Sequence, residues 1–145
     1  MKGRLNHIGL VVRGISEFAK VLQVLGLEQV TQPEPDPIQK VTACFFATGN
    51  KEDVHIEVLE PMDGTSPIAN FLAKKGGGLH HLCFEVDDID SVARDLENQG
   101  YKLVSSPVEC IGYDRSFGLG RNASTRIAFF MTSNKLLIEL LQRGR

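Results

Sequence analysis

The sequence predicts an α+β fold in which one domain, residues 1–145, contains two tandem βαβββ modules. Two observations support this prediction: an internal repeat, and a hydrophobic pattern that changes from period two to helical period and back within each repeat. Module 1 covers about residues 4–61 and module 2 about residues 79–143. A chain of 145 residues suits one compact domain, so the two modules are expected to share a core.

The repeat is clearest around two histidines. His81 follows His7 by 74 positions, within the similar segments LHHLCFEV and LNHIGLVV. At this offset residues 5–30 match residues 79–104 without a gap and with eight identities, several of them at helical spacing. Such self-similarity indicates an internal duplication, in which each module supplies one histidine on its first strand.

A pair of glutamates closes the repeat. VHIEVL at 54–59 aligns with LLIELL at 136–141 and places Glu57 on Glu139, 82 positions later. Module 2 therefore carries about eight more residues between its histidine and its glutamate. We assign them to the glycine-rich and polar segment 105–125, which is predicted to be a loop; residues 114–124 within it are either a lid or an ordinary loop.

The elements of module 1 follow from the pattern in order. Alternating apolar residues predict strands, and the run GISEFAKVLQVLGL has helical period and ends at Gly26. TQPEPDP contains three prolines and is predicted to be a loop that cannot join a sheet ladder. The predicted elements are a strand at 4–12, a helix ending at Gly26, a short strand at 28–31, and strands at about 40–48 and 53–60.

The linker and module 2 are predicted in the same way. A short helix at 67–75 joins the modules, with Pro67 in its first turn and Gly76 after its end. The elements predicted for module 2 are a strand at 79–87, a helix at 89–99, a strand at 101–105, and strands at about 125–132 and 136–142.

Composition and charge argue against several functional classes. A formal net charge of −2 gives no reason to expect nucleic acid or an anionic membrane as a partner. Cys44, Cys83 and Cys110 are odd in number and lack CxxC spacing, so we expect no disulfide framework, no structural zinc site and a reducing cytosol. The first residues, MKGRLNHIGLVV, have too short an apolar run for a signal peptide, and no segment is long enough to span a membrane.

The repeated histidines and glutamates suit a divalent metal ion. If a pseudo-twofold axis relates the modules, equivalent inward positions face each other, so His7 meets His81 and Glu57 meets Glu139. Two imidazoles and two carboxylates can bind Zn, Ni, Co, Fe or Mn and leave positions for water or substrate oxygens. Alternatively, the histidines are core residues and the glutamates face solvent. A buried carboxylate is costly, however, unless it is paired or bound to a metal.

Other polar residues lie close to these positions. Alternation along the strands places Cys83, Glu85 and His55 on the same faces as the candidate ligands. We interpret Cys83 as a small side chain that fills space in the core. His55 or Glu85 is interpreted either as an auxiliary base or as a residue at a solvent-exposed end of its strand. His80 precedes His81 and is therefore expected on the opposite face, in a structural role.

Four segments carry a resemblance to a known family: LNHIGLVV, VHIEVLEP, DGTSPIANFLAKKGGGLHHLCFEVDDID and LLIELLQ. Together they resemble the vicinal oxygen chelate superfamily of glyoxalases, bleomycin resistance proteins and dioxygenases, and within it the methylmalonyl-CoA epimerase branch. The resemblance covers nearly the whole chain. It implies a glyoxalase-like fold, in which a cupped mixed β-sheet surrounds one divalent metal ion, commonly within a homodimer. The metal ligands that it implies are His7, Glu57, His81 and Glu139.

The resemblance also implies an isomerase that removes the α-proton of an acyl-CoA thioester. The metal would polarise vicinal oxygens, such as a thioester carbonyl and an adjacent carboxylate, and would stabilise the enolate. Epimerisation needs a base on each face of the α-carbon; Glu139 is the candidate for one face and Glu57 for the other. Cations available for the CoA phosphates are Lys74, Lys75, Arg115 and Arg121.

The chain departs from the family pattern at three places. Lys20 and Val21 replace an aromatic pair near the end of the first helix. A short turn before the seventh strand is expanded to IGYDRSFGLGRNASTR, and Ala43 stands where some epimerases carry a carboxylate. These changes concern the cavity mouth and the substrate rather than the metal ligands.

Two other functions are consistent with the same ligand set. Glyoxalase I chemistry would use the four residues on the hemithioacetal of glutathione. A non-catalytic member would sequester a drug or metabolite, although such a cavity has no need of two carboxylates beside two histidines. An extradiol dioxygenase fits less well, because those enzymes use two histidines and one glutamate.

Overall fold

The computed structural model describes residues 3–145, which form nine strands and four helices. Module 1 contains β1 (Arg4–Val11), α1 (Ile15–Val24), β2 (Glu28–Gln29), β3 (Glu34–Asp36), β4 (Val41–Ala47) and β5 (His55–Pro61). The linker forms α2 (Pro67–Lys75). Module 2 contains β6 (Gly78–Glu85), α3 (Ile89–Asn98), β7 (Val108–Glu109), α4 (Ile111–Phe117), β8 (Arg126–Met131) and β9 (Leu137–Gln142). This composition confirms the predicted α+β class.

All nine strands belong to one mixed sheet. The strand order is β2, β4, β5, β1, β6, β9, β8, β7, and β3 also pairs with β4. β1 and β6 run antiparallel at the centre and join the modules, whereas β5 is parallel to β1 and β9 is parallel to β6. Each module thus has the same strand order outward from the centre, and the two modules pair within one chain.

The two long helices cover one face of the sheet. Ile15 and Leu22 of α1 pack against Phe46 and Val58 of the sheet and form an apolar cluster with them. In the equivalent cluster of module 2, Ile89 of α3 packs against residues of the sheet that include Phe130, Ile138 and Leu140. Because side chains alternate along a strand, the residues between these positions, among them Phe45 and Glu139, face the opposite side. In the described part of the chain, no helix is long and apolar enough to cross a membrane.

The proline-rich segment joins the sheet, so the prediction that it could not do so was wrong. Residues Glu34–Asp36 form β3 and pair antiparallel with β4, with Pro35 opposite Thr42. The missing N–H of a proline is tolerated because β3 lies at an edge and pairs on one side only.

The segment 105–125 is also more regular than predicted. It contains α4 in place of a continuous loop, and α4 packs on the cupped face through Tyr113 and Phe117. The strand predicted at 101–105 is reduced to a single bridge between Leu103 and Phe130, and the regular pairing with β8 is made by β7. A seven-residue helix with a glycine in its first turn has little intrinsic stability, so tertiary contacts must hold α4.

Candidate metal centre and active site

Two rows of residues across the centre of the sheet assemble the site. On β4, β5, β1 and β6, cross-strand pairing aligns Phe45, Glu57, Gly9 and His81. On β8, β9, β6 and β1, it aligns Phe129, Glu139, Cys83 and His7. Each position of the second row is the repeat equivalent of a position in the first row. The pairing register of the strands therefore follows the pseudo-twofold symmetry of the two modules.

Four ligand-type side chains converge from these rows. The Nε2 atoms of His7 and His81 lie 3.1 Å apart. Glu57 Oε1 lies 3.3 Å from each of these nitrogens. Glu139 Oε1 lies 3.0 Å from that of His7 and 3.4 Å from that of His81. The structure therefore brings together the four residues that the repeat pairs in sequence.

These distances suit a shared divalent ion. Donor atoms bound at about 2.0–2.2 Å to one ion lie about 3.0–3.5 Å apart when they occupy adjacent positions. Glu139 Oε1 is buried and has no hydrogen-bond partner among residues 3–145, although two imidazole nitrogens are close. An oxygen in that position is costly unless a cation or a proton compensates it. The residues present thus fit the divalent metal that the family resemblance implies.

The electrostatics of the cluster lead to the same conclusion. Burial opposes the negative charge of Glu57, but the charge and hydrogen bonds of His7 and His81 prevail and lower its pKa to about 2. The pKa of Glu139 is lowered for the same reasons. Burial also opposes protonation of the imidazoles, but the Cys83 thiol and the Glu57 carboxylate beside His7, and the Glu139 carboxylate beside His81, raise the pKa of both. In the absence of a metal ion, protons on the imidazoles supply the positive charge that balances the carboxylates.

Two strand irregularities place a second set of side chains behind the histidines. The pairing of β1 with β6 skips Asn6 on one strand and His80 on the other. Asn6 Oδ1 lies 2.7 Å from His7 Nδ1, and His80 Nδ1 lies 2.8 Å from His81 Nδ1. The expectation that His80 lies on the opposite face was wrong: it lines the main cavity, because an irregular pairing re-aims side chains.

Cys83 lies inside the site, not at its edge. Its thiol is fully buried, packs in the apolar cluster under α4, and lies within 4.8 Å of the ligand atoms of His7 and Glu139. Burial is the main reason why its pKa rises above the range of a reactive thiol. At neutral pH Cys83 is therefore a neutral group beside the metal position.

The other candidate residues lie elsewhere. His55 stacks on Phe117 and contacts the carbonyl oxygen of Lys51 through Nε2, in a smaller cavity on the other side of α4. Glu85 accepts hydrogen bonds from Arg4 and Asn6. Neither residue lines the main cavity in the described part of the chain. The same holds for the candidate CoA-binding cations Lys74, Lys75, Arg115 and Arg121.

The main cavity has a volume of about 260 Å³ and opens beside the cluster. Glu57, His81 and Glu139 line it. Its walls are mostly apolar, and they include Val41, Ala43, Phe45, Leu59, Ile127 and Phe129. Such walls exclude water and leave the cluster and a few polar side chains as the places where a substrate can be recognised.

Sequence reasoning missed several residues of the site. Phe45 and Phe129, each opposite a ligand glutamate, contact His7 and His81 edge-on, with ring centroids 5.4 and 5.8 Å apart. A sequence signal existed, because a Phe-Phe pair precedes each glutamate strand. Glu34 was missed because it lies in the proline-rich segment; it pairs with Ala43 and lines the same cavity. In this chain a neighbouring strand thus supplies a carboxylate beside Ala43.

Comparison with known proteins defines the class. Residues 6–118 match the family described as the Glyoxalase/Bleomycin resistance protein/Dioxygenase superfamily. The chain belongs to this superfamily, as its paired modules and buried His and Glu cluster indicate.

Within this class, the relatives that it matches include methylmalonyl-CoA epimerases. It is 38% identical to the ethylmalonyl-CoA/methylmalonyl-CoA epimerase of Cereibacter sphaeroides, over 77% of this chain and 82% of that protein. It is 36% identical to the human mitochondrial methylmalonyl-CoA epimerase, over 74% of this chain and 60% of that protein. The chain thus spans about 60% of the length of the human relative. The crystal structure of methylmalonyl-CoA epimerase from Mycobacterium tuberculosis has a TM-score of 0.81 and 28% identity, covering 97% of this chain and 88% of that one.

Proposed function

We propose that this chain is a divalent-metal-dependent epimerase of 2-substituted malonyl-CoA thioesters. The observation that carries the proposal is the largely buried cluster of two histidines and two glutamates at the side of a mostly apolar cavity. The relatives, which are named as methylmalonyl-CoA and ethylmalonyl-CoA epimerases, support the choice of substrate.

The residues that would hold the metal are His7, Glu57, His81 and Glu139. A divalent ion bound by them would supply Lewis acidity toward a carbonyl oxygen of the substrate. The structure favours no one metal among Zn, Ni, Co, Fe and Mn, because imidazole and carboxylate ligands suit all of them.

Glu139 is the proposed base for one face of the α-carbon. Its carboxylate lines the cavity and lies close to both imidazoles, so it can take the α-proton and return it. Glu57 is the proposed base for the opposite face, since it occupies the equivalent place in the other module; it would take the α-proton of one epimer, and, once it carries a proton from solvent, it would deliver that proton to the enolate formed from the other. Glu34 is a second carboxylate on the module 1 wall and is the alternative to Glu57.

The proposal is tested by solvent exchange. A single epimer of methylmalonyl-CoA is incubated with metal-loaded protein in D2O, and the α-position is followed by NMR and mass spectrometry. We expect loss of the α-proton signal together with formation of the other epimer. A folded, metal-loaded protein that exchanges neither methylmalonyl-CoA nor ethylmalonyl-CoA would contradict the proposal.

The same preparation tests the two alternatives. Formation of lactoylglutathione from methylglyoxal and glutathione would indicate glyoxalase I chemistry. Tight binding of a small molecule by protein that takes up no metal would indicate a sequestering role. We also propose a homodimer, from the family resemblance, and a cytosolic location, because Cys44, Cys83 and Cys110 are free thiols. Light scattering tests the first, and imaging of a fluorescent fusion tests the second.

A further inference from the structure

His80 lines the main cavity and contacts the cluster through one of its two ring nitrogens. Its Nδ1 lies 2.8 Å from His81 Nδ1, and its ring stands edge-on against Phe71 of α2, with centroids 5.0 Å apart. The ring is half-buried and lines the main cavity. Among residues 3–145, His80 Nε2 has no hydrogen-bond partner.

Asn6 is the repeat partner of His80. Like His80, it contacts the histidine that follows it in the sequence, but its other properties differ. Its Oδ1 lies 2.7 Å from His7 Nδ1, just as His80 contacts His81. Its Nδ2, however, donates to Glu85 and to the Tyr113 hydroxyl, so its remaining polar group is already bound within the protein. The two modules therefore orient their histidines alike, but of these two partners only His80, within residues 3–145, lines the cavity and keeps a polar atom without a protein partner.

The proton positions follow from this geometry. When the Nε2 lone pairs of His7 and His81 face a cation, each ring carries its proton on Nδ1. His7 then donates to Asn6 Oδ1, and His81 donates to His80 Nδ1. Because His80 Nδ1 accepts that bond, the single proton of a neutral His80 ring must lie on Nε2. The cavity thereby receives an N–H donor of fixed position.

We propose that His80 both orients His81 for metal binding and donates its Nε2 hydrogen to an oxygen of the substrate in the cavity. The positioning half of this proposal, in which His80 orients His81, depends on the metal site alone. The substrate half, in which His80 donates a hydrogen bond to the substrate, rests on the proposed function. The oxygen that it would bind is a carboxylate or thioester carbonyl oxygen of the malonyl group. Within the described residues the cavity lining contains no lysine or arginine, so the other side-chain donors available to that oxygen are neutral: Gln39, Ser105, Tyr113 and Ser116.

Asn6 suggests the variant that separates the two roles. His80→Asn keeps a short acceptor that can reach His81 Nδ1, as Asn6 reaches His7, but it has no ring to reach the cavity. His80→Ala loses both bonds. His55→Asn is the matched control, because the His55 side chain lies in the other cavity and, among residues 3–145, makes no hydrogen bond or ion pair with the four candidate ligands, although its backbone pairs with that of His7.

Metal affinity measures the positioning half. It is determined for each variant by competition between the protein and a chromogenic chelator for Zn²⁺ or Co²⁺. We expect His80→Ala to weaken binding about 10- to 100-fold, as is usual when the partner of a ligand histidine is removed. His80→Asn and His55→Asn should stay within about threefold of the wild type. Wild-type affinity in His80→Ala would overturn the positioning role.

Thioester binding measures the substrate half. Binding of malonyl-CoA to metal-saturated protein is followed by calorimetry, together with KM and kcat for methylmalonyl-CoA. We expect both His80 variants to bind malonyl-CoA about tenfold more weakly, since neither places an N–H donor where the His80 Nε2 lies. Wild-type binding and KM in His80→Asn would overturn the substrate role. If the wild type neither binds malonyl-CoA nor epimerises, the substrate half fails with the proposed function, and the chelator competition still decides the positioning role.

Discussion

Gly9 lies directly opposite His81 in the antiparallel pairing of β1 with β6, and a Cβ atom on Gly9 would overlap the His81 imidazole ring. The φ angle of Gly9 is not in the left-handed region, so the glycine is required for space and not for backbone conformation. In the equivalent pair of the other row, Cys83 stands opposite His7. The cluster therefore has different neighbours on its two sides, although the repeat makes its four candidate ligands equivalent in pairs.

Gly9→Ala is expected to expel the His81 ring from the cluster while the sheet stays folded. The reason is that the overlap involves a side chain, which can rotate away, and not the backbone. We expect loss of most bound metal, measured by elemental analysis, with an unchanged far-ultraviolet circular dichroism spectrum. Gly14→Ala is the control, because a Cβ there meets nothing within 4 Å. Full metal content in Gly9→Ala would show that the site tolerates a displaced ring.

His81→Ala tests the cluster directly. Gently purified wild-type protein should contain about one divalent ion per chain, and the variant should contain almost none, because one of two imidazole ligands is lost. His55→Ala should keep its metal, since His55 lies in the other cavity. An absence of metal in the wild type, even after incubation with Co, Ni, Zn and Mn, would favour the sequestering role.

Glu139→Gln should slow exchange of the α-proton by a factor of about 10² to 10⁴, the usual contribution of a positioned base. An amide oxygen can still face a metal, so part of the metal content should remain. Exchange is measured in D2O on metal-saturated protein, which separates loss of the base from loss of the ion. A rate equal to that of the wild type would remove Glu139 from the mechanism.

Glu57→Gln and Glu34→Gln distinguish the two candidates for the opposite face. The variant that lacks the second base should still exchange the α-proton of one epimer through Glu139 but should form little of the other epimer. The variant of the uninvolved residue should keep the wild-type ratio of exchange to epimerisation. Epimerisation in both variants would exclude a simple two-base scheme that uses either residue.

The stability of metal-free protein should be greatest between about pH 5 and 6.5. The pKa values of Glu57 and Glu139 are lowered by folding, so their contribution is present above their ordinary value of 4.5 and is lost as the pH falls toward 2. The pKa values of His7 and His81 are raised, so their contribution is present below 6.5 and is lost as the pH rises through the folded values.

Urea denaturation with a chelator, from pH 3 to 8, measures this profile. Metal-loaded protein should not lose stability above pH 6.5, because the cation replaces the protons on the imidazoles and binds more tightly as they leave. A metal-free protein that becomes more stable between pH 6.5 and 8 would contradict the raised imidazole pKa values.

The anchoring of α4 depends on Asp36. This side chain is 3% exposed, and its carboxylate accepts hydrogen bonds from three backbone amides, including that of Gly112, and from the Cys110 thiol. Asp36→Ala should lower the free energy of unfolding by about 2–4 kcal/mol, because buried donors lose their acceptor. Urea denaturation measures the change. The exposed Asp63, replaced by alanine, should have a much smaller effect.

Local patterns predicted most elements correctly. α2 begins and ends at the predicted residues because Ser66 caps its first turn, Pro67 fits there, and Gly76 adopts the left-handed conformation that ends it. These signals act within a few residues of the chain, so they can be read without tertiary context. The prolines of β3 were misleading because their effect depends on whether the strand is central or at an edge.

The sequence by itself determined the duplication, the α+β class and the pairing of His7 with His81 and Glu57 with Glu139, because a repeat imposes equivalent positions on both modules. Tertiary structure alone decided the positions of Asn6, His80 and α4. Skipped residues in the pairing of β1 with β6 turn side chains against the alternation that sequence spacing predicts. α4 forms because distant groups, Asp36 above all, bind its first turn. Such long-range contacts leave no periodic signal in the chain.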